Sequence, residues 1–352
     1  MKQRVFVLGS FVADVAFRMP RLPAWGETLM GDTFVLGPGG KGSNQAVAAA
    51  RAVGSSSTTV QFFSKVGDDA FGQLARDTWA ASGVDASLVK TSEVATGAAA
   101  ILIDSARGEN AIIVVPGACF TLSPGEVDEA AAAIRSAGVF LTQLELPLDT
   151  VERGLELARE AGVPTILNPA PAPEKPLPDT LVALSDYFIP NETEAAILTG
   201  LPVETLEQAK TAAAALQSLG ARNVILTLGA KGALVVTEDG NATLVPSFSA
   251  GPVVETTGAG DAFCGGFATA LAEGQPLLDA VRFGCATAGI SVTRAGTAPR
   301  CRSVPRSTRY WPRDSPTRRA ATARDAGARL KQDPCAAYPA SRQHPSSLMV
   351  YR

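Results

Sequence analysis

Thr256-Thr257-Gly258-Ala259-Gly260-Asp261-Ala262-Phe263 joins a glycine-rich turn, a helix start and one carboxylate in a single short stretch. A helix opening after Gly258 leaves the N–H groups of its first turn without intrahelical acceptors, and such groups hold developing negative charge. Asp261 falls within that turn as a candidate general base. This combination suits phosphoryl transfer, which asks a protein chiefly for positioning and charge stabilisation.

Outward from this stretch, residues 4–297 alternate short apolar runs with Ala-rich segments of helical period. That is the pattern of βαβ units: an α/β fold with a central, mostly parallel sheet flanked by helices. The spacing predicts strands over 5–8, 60–64, 139–142, 164–167, 187–189 and 224–227. It predicts helices over 43–52, 70–82, 150–161, 206–219, 259–272 and 277–293, with Gly54, Gly220 and Gly274 closing three of them. Two regions break the rhythm, 14–36 and 97–115. The second alternates as a hairpin, 98–103 against 110–115, around the polar turn 104–109. Strands inserted between βα units predict a small second sheet, expected to cover a substrate cleft as a lid.

The 352 residues are 46% hydrophobic and 18% charged, a globular composition. No apolar run approaches the roughly 18 residues of a membrane span, and the N-terminus reads as a first strand and not a signal peptide; the expectation is a cytoplasmic protein. Five scattered cysteines, Cys119, Cys264, Cys285, Cys301 and Cys335, suggest neither a zinc site nor a disulfide framework. The single histidine, His344, leaves the body of the chain to work with carboxylates, Lys41 and backbone amides. Residues 300–352 carry 12 Lys+Arg against 3 Asp+Glu, a net of +9, which leaves −12 for residues 1–299. This Pro- and Arg-rich tail has no sustained hydrophobic period and is expected to be disordered. It reads as an altered reading frame or a poorly constrained extension in preference to a nucleic-acid-binding arm, so 1–299 is taken as the functional domain.

Gly37-Pro38-Gly39-Gly40-Lys41-Gly42-Ser43-Asn44-Gln45 contains G-x-G-x-x-G, yet no acid follows about 20 positions on to bind a ribose, and Lys41 precedes Gly42 where a P-loop needs Ser or Thr. Close backbone approach to a polyol, with Lys41 and Asn44 as donors, fits better than a plain helix-capping turn. Asp14 and Glu145 follow apolar strands, where ligands meet an open α/β sheet, although either alone reads equally as a solvated surface acid. Asn191-Glu192-Thr193-Glu194 has the spacing of a capping box. Thr227-Leu228-Gly229-Ala230-Lys231-Gly232 reads either as a loop beside bound nucleotide or as a hairpin turn.

Taken in order, Gly39-Gly40-Lys41-Gly42-Ser43-Asn44-Gln45-Ala46, Asn168-Pro169-Ala170-Pro171, Asn191-Glu192-Thr193-Glu194 and Thr257-Gly258-Ala259-Gly260-Asp261-Ala262-Phe263 resemble the signatures of the ribokinase-like (PfkB) carbohydrate kinases over residues 4–299. The resemblance implies an ATP-dependent sugar kinase, with ribose as the first expectation and fructose, a deoxy sugar acid or a nucleoside as the alternatives. A non-catalytic sugar or nucleotide binder is the remaining alternative. The resemblance implies a Rossmann-like core with a β-sheet lid, and a homodimer formed through that lid. Asp261 then resembles the catalytic base, with the amides of Gly258, Ala259, Gly260 and Asp261 as the anion hole. Sugar contacts are implied for Asp14, Gly40, Lys41, Gly42, Ser43, Asn44, Glu145 and Asp261. Nucleotide contacts are implied for Asn191, Thr227, Leu228, Gly229, Ala230, Lys231, Gly232, Ala259, Gly260 and Cys285.

Glu194 resembles the residue that organises Mg²⁺ through water, and Glu255, Thr257, Ser291, Arg294 and Gly296 match the shell of a monovalent cation, expected to be K⁺. Three positions depart from the family pattern: Glu255 replaces Asp, Val12 stands where ribokinases carry Asn, and Arg300 replaces a Ser ligand. The terminal helix of the family does not match the tail, so reduced stability and cation response are expected.

Overall fold

A computed structural model describes residues 3–294 apart from 55, 174 and 175. The expected tail 300–352, with Gly296 and Arg300, lies outside the described residues. In chain order the elements begin with β1 (Arg4–Leu8), β2 (Val12–Met19), β3 (Thr33–Gly39), α1 (Lys41–Ala52), β4 (Thr59–Phe63), β5 (Lys65–Gly67), α2 (Ala70–Ser82) and β6 (Lys90–Ser92). There follow β7 (Thr96–Asp104), β8 (Asn110–Gly117), α3 (Pro124–Glu129), α4 (Ala131–Arg135), β9 (Val139–Thr142), α5 (Leu148–Glu160), β10 (Thr165–Leu167) and α6 (Asp179–Ala183). The last group is β11 (Tyr187–Phe188), α7 (Glu192–Thr199), α8 (Leu206–Ser218), β12 (Asn223–Thr227), β13 (Ala233–Val236), β14 (Ala242–Val245), α9 (Ala259–Ala272) and α10 (Leu277–Ser291).

The main sheet runs β14-β13-β12-β11-β10-β9-β1-β4, parallel from β4 to β12 and antiparallel at β13 and β14. Its central strands are short apolar runs buried on both faces, as covered parallel strands must be; Val5, Phe6, Val7, Leu8, Val139, Phe140 and Leu141 are fully buried. From β1 the chain goes to β4 on one side and later returns to β9 on the other. The strand order therefore reverses between β1 and β9, and the crevice beyond their carboxyl ends is where an open α/β sheet takes its ligands.

The two irregular regions build the second sheet, β3-β2-β7-β8. The expected hairpin is present, with Ala98 opposite Val115 and Ile103 opposite Asn110. Two strands absent from the sequence reading, β13 and β14, extend the main sheet as a meander. Gly54, Gly220 and Gly274 all follow helix ends with positive φ, as expected.

What brings the site together is the close packing of α1 on α9. A Cβ at Gly265 would lie 2.6 Å from the Gln45 carbonyl and 2.7 Å from Ala48 Cβ, so only glycine permits this approach. The Thr269 hydroxyl donates to the Ala49 carbonyl across the same contact (3.1 Å). The first turns of both helices consequently share one end of the sheet.

Candidate active site

At the switch point, Glu145 leaves the end of β9 and its Oε2 accepts from the Ser10 hydroxyl beyond β1 and from the Lys41 N–H at the start of α1 (2.8 Å). One carboxylate thus ties three segments. The glycines of the Gly39–Gly42 turn serve this junction: Gly40 holds φ +82°, where a Cβ would strike Val12 N, and a Cβ at Gly42 would lie 2.5 Å from Ser10 N. Gly42 therefore packs on the β1–β2 connection, and the Ser43 hydroxyl accepts from Trp79 Nε1 (2.9 Å). Neither lines the cavity that Lys41 lines.

That cavity is bordered by Lys41, Asn168, Asn191, Glu194, Thr227, Gly258, Gly260, Asp261 and Cys264, with Ala170 and Ile189 as its apolar wall. Gly258 is the N-cap of α9 at φ +75°, a left-handed conformation that favours glycine. The Ala259 N–H turns back to Thr256 O (3.0 Å), and Ala262 is the next to bond, to Gly258 O (3.0 Å). The N–H groups of Gly260 and Asp261 have no acceptor among the described residues. Of the four amides expected for the anion hole, Ala259 is engaged in its own turn.

Asp261 is buried, and both oxygens are held by amides of α1: Asn44 Nδ2 donates to Oδ2 (3.2 Å) and Gln45 Nε2 to Oδ1 (3.0 Å). Burial raises its pKa above the ordinary carboxylate value, while Lys41 and the two amide donors pull it down. Burial alone would lower the Lys41 ammonium, but Asp261, Glu145 and Glu194 outweigh it and hold the ammonium above its ordinary value. Asp14, on β2, is pushed up to about 6, first by burial and then by Glu145 and Asp261. Glu194 is raised by burial, against the Asn191 N–H and Lys41.

A scan of family models matches pfkB family carbohydrate kinase over residues 2–303. The chain belongs to this family. A ribokinase from Haemophilus influenzae is 41% identical over 297 residues, covering 84% of this chain and 94% of its own. A deoxyribokinase from Salmonella typhi is 36% identical over 306 residues, covering 87% and 98%. Arabidopsis thaliana ribokinase, solved with ribose and ATP, superposes with a TM-score of 0.81 at 34% identity, covering 86% of this chain and 96% of its own.

In this pfkB-family kinase the remaining expected residues are distributed as follows. Asn191 caps α7 in the capping box the spacing predicts: the Glu194 N–H donates to Asn191 Oδ1 (2.8 Å) and the Asn191 N–H to Glu194 Oε2 (2.9 Å). The same box lines the cavity, so the capping and the site readings hold together. Thr227 ends β12 at the cavity, and Leu228–Gly232 form the turn of the β12–β13 hairpin, closed by the Leu228 N–H on Gly232 O (2.8 Å). Within it Gly229, Ala230 and Lys231 are exposed.

Cys285 is buried in α10 outside the cavity lining, and burial pushes its thiol up to about 12; Cys264, on α9, is the cysteine at the cavity. Cys119, Cys264 and Cys285 are free thiols. Glu255 lies against the end of α10, its N–H and that of Val254 both donating to Val292 O (3.2 and 2.8 Å). Thr257, Ser291 and Arg294 lie on these two segments; Gly296 is outside the described residues. Among the described residues no helix is long and apolar enough to cross a membrane. Gln45, Gln143 and Ser10 were absent from the expected site, although Gln45 sits inside a quoted signature; buried amides carry no charge or periodicity to mark them.

Asp14 yields a signed pH prediction. Its folded pKa exceeds the unfolded value, so the folded state binds the extra proton and stability falls as pH rises between about 4 and 6. Asp14→Asn removes that penalty. Urea unfolding should show the variant more stable by on the order of 1–3 kcal/mol at about pH 7.5, with the gain vanishing near pH 4. A loss of stability at neutral pH would contradict this.

Proposed function

We propose that the chain is an ATP-dependent ribokinase, moving the γ-phosphoryl group of ATP to the hydroxymethyl oxygen of ribose to give ribose 5-phosphate. The observation that carries this reading is the meeting, in one cavity, of the buried Asp261 carboxylate, the open amides of Gly260 and Asp261, and Lys41. Its direction agrees with the ribokinase relatives and with the ribose and ATP held by the Arabidopsis enzyme.

Asp261 takes the proton of the sugar hydroxyl as that oxygen attacks phosphorus; the bond from phosphorus to the bridging oxygen breaks, and the pair leaves with ADP. The first-turn amides of α9 receive the charge that gathers on the phosphoryl oxygens. Asp14, Asn44, Lys41, the Gly40 backbone and Glu145 hold the sugar hydroxyls, while Asn191 and the 227–232 turn flank the nucleotide. Glu194 fits a Mg²⁺ held through water, because Mg²⁺ commonly takes one or two carboxylates and completes its shell with phosphates and water. When bound, that ion neutralises phosphate charge. K⁺ is proposed at Glu255, Thr257, Ser291, Arg294 and Gly296, the positions that match the family's cation shell.

A second reading, 2-deoxyribose as substrate, is favoured by one residue. Val12 is 6% exposed at the start of β2 and offers no hydrogen bond where the family pattern has Asn. The deoxyribokinase relative agrees with it. In an ATP-coupled assay over ribose, 2-deoxyribose, fructose and adenosine, with and without KCl, ribose should give the highest kcat/KM and K⁺ should raise it. Asp261→Asn should lose about 10²–10⁴-fold in kcat. A higher kcat/KM on 2-deoxyribose would move the assignment to the second reading, and turnover surviving in Asp261→Asn would remove the mechanism.

The four-stranded sheet is proposed as lid and dimer surface. Phe34, Val35, Ile112, Ile113, Val114 and Val115 are all more than half exposed on its two edge strands, β3 and β8, where they alternate between the faces of the sheet, and this exposed apolar area invites a partner. A second copy of the chain is the proposed partner. Sedimentation at micromolar concentration should show a dimer that Ile113→Lys dissociates; a wild-type monomer would contradict the assignment.

A further inference from the structure

Asp261 is one end of a chain of buried amides. Asn168 Nδ2 donates to the Ile189 carbonyl (2.8 Å), and Gln45 Nε2 donates to Asn168 Oδ1 (3.0 Å) as well as to Asp261 Oδ1 (3.0 Å). Behind it, Gln143 Nε2 donates to Gln45 Oε1 (2.6 Å). The direction of every link is forced. A backbone carbonyl and an ionised carboxylate only accept, so Asn168 must present its nitrogen to Ile189 and Gln45 its nitrogen to Asp261. A flipped Gln45 would set its oxygen against two oxygens. The consequence falls on Gln143, which must turn its nitrogen to Gln45 and its Oε1 towards Gly9.

We propose that Gln45 is a positioning residue for the transfer, locking the orientation of Asp261 through a relay whose other members are Gln143 and Asn168. The inference rests on the reading of Asp261 as the base. The relay joins α1 to the carboxyl ends of β9, β10 and β11, so it fixes the carboxylate relative to the sheet as well as to its neighbour helix. Its electrical role follows from the groups that face Asp261: Lys41 from α1, Glu145 beyond β9, Glu194 from α7, Asp14 from β2 and Cys264 from α9 itself. Of these only Lys41 favours the ionised carboxylate. The amide donors of Gln45 and Asn44 supply the rest of the support, and removing one shifts the carboxyl towards its protonated, inactive form.

The test compares wild type, Gln45→Leu, Gln143→Met and Asp261→Asn in the full-length protein, with ribose and MgATP, over about pH 5 to 9. Gln45→Leu should lower kcat about 10- to 100-fold, with KM for ribose changed by less than about threefold, because Gln45 acts on the base and not on sugar hydroxyls. The acid limb of its kcat profile should move to higher pH by about one unit. Gln143→Met, one link further away, should move the same limb in the same direction by less, and it supplies the readout if Gln45→Leu does not fold. An acid limb that coincides with wild type in the folded variants overturns the inference, whether or not kcat falls, since a packing defect alone leaves that limb in place. Failure of the parent reading looks different: Asp261→Asn would then retain turnover.

Discussion

One buried ammonium sets the terms for the rest of the site. Lys41 sits at the first position of α1, and burial works against its charge. Asp261, Glu145 and Glu194 reverse that balance, although none forms a direct ion pair with it; the lysine ion pairs of the described residues involve Lys65, Lys90 and Lys210. Opposite charges held apart in a low-dielectric cleft attract strongly and still leave room between them. A substrate that enters that room completes interactions the protein has already aimed, so little reorganisation is needed at the reacting centre.

The packing exists to hold that arrangement. Three carboxylates that converge on one ammonium come from a loop after β9, from α7 and from α9, and each needs its own restraint. Glu145 is held by Ser10 and the Lys41 backbone, Glu194 by the capping box with Asn191, and Asp261 by Asn44 and Gln45. The glycines at 40, 42 and 265 allow the backbones to approach closely enough for these short side chains to reach. Asp14 shows the opposing pressure, since its raised pKa means that the fold accepts a carboxylate where burial and two other acids disfavour it. Stability given up at a site in this way is a common mark of function.

Much of this was legible beforehand, for identifiable reasons. The α9 helix matched its expected span, 259–272, because Gly258 and a long apolar run mark both its start and its face. The hairpin of the small sheet was readable from alternation around a polar turn. β13 and β14 escaped notice because each is only four residues long and one edge strand is largely exposed, leaving little periodicity to detect. The same limit applied to the site. Asp261, Asn44, Glu145 and Asn191 were found because charge, motif or capping spacing singles them out. Gln45 and Gln143 act through contacts between residues 98 positions apart, which no local pattern encodes. The turn that engages the Ala259 N–H was equally hidden, since it depends on a backbone contact from Thr256 to Ala259.

The claim that Lys41 is the charge on which the carboxylates depend is tested most directly by unfolding Lys41→Met in urea at two pH values. Because the folded pKa of Lys41 is raised, its charge stabilises the fold at neutral pH, and its removal leaves buried acids unpaired. The expected loss is about 3 kcal/mol near pH 7.5 and shrinks towards pH 5, as the orphaned carboxylates take up protons. An equal loss at both pH values, or no loss at neutral pH, would contradict it.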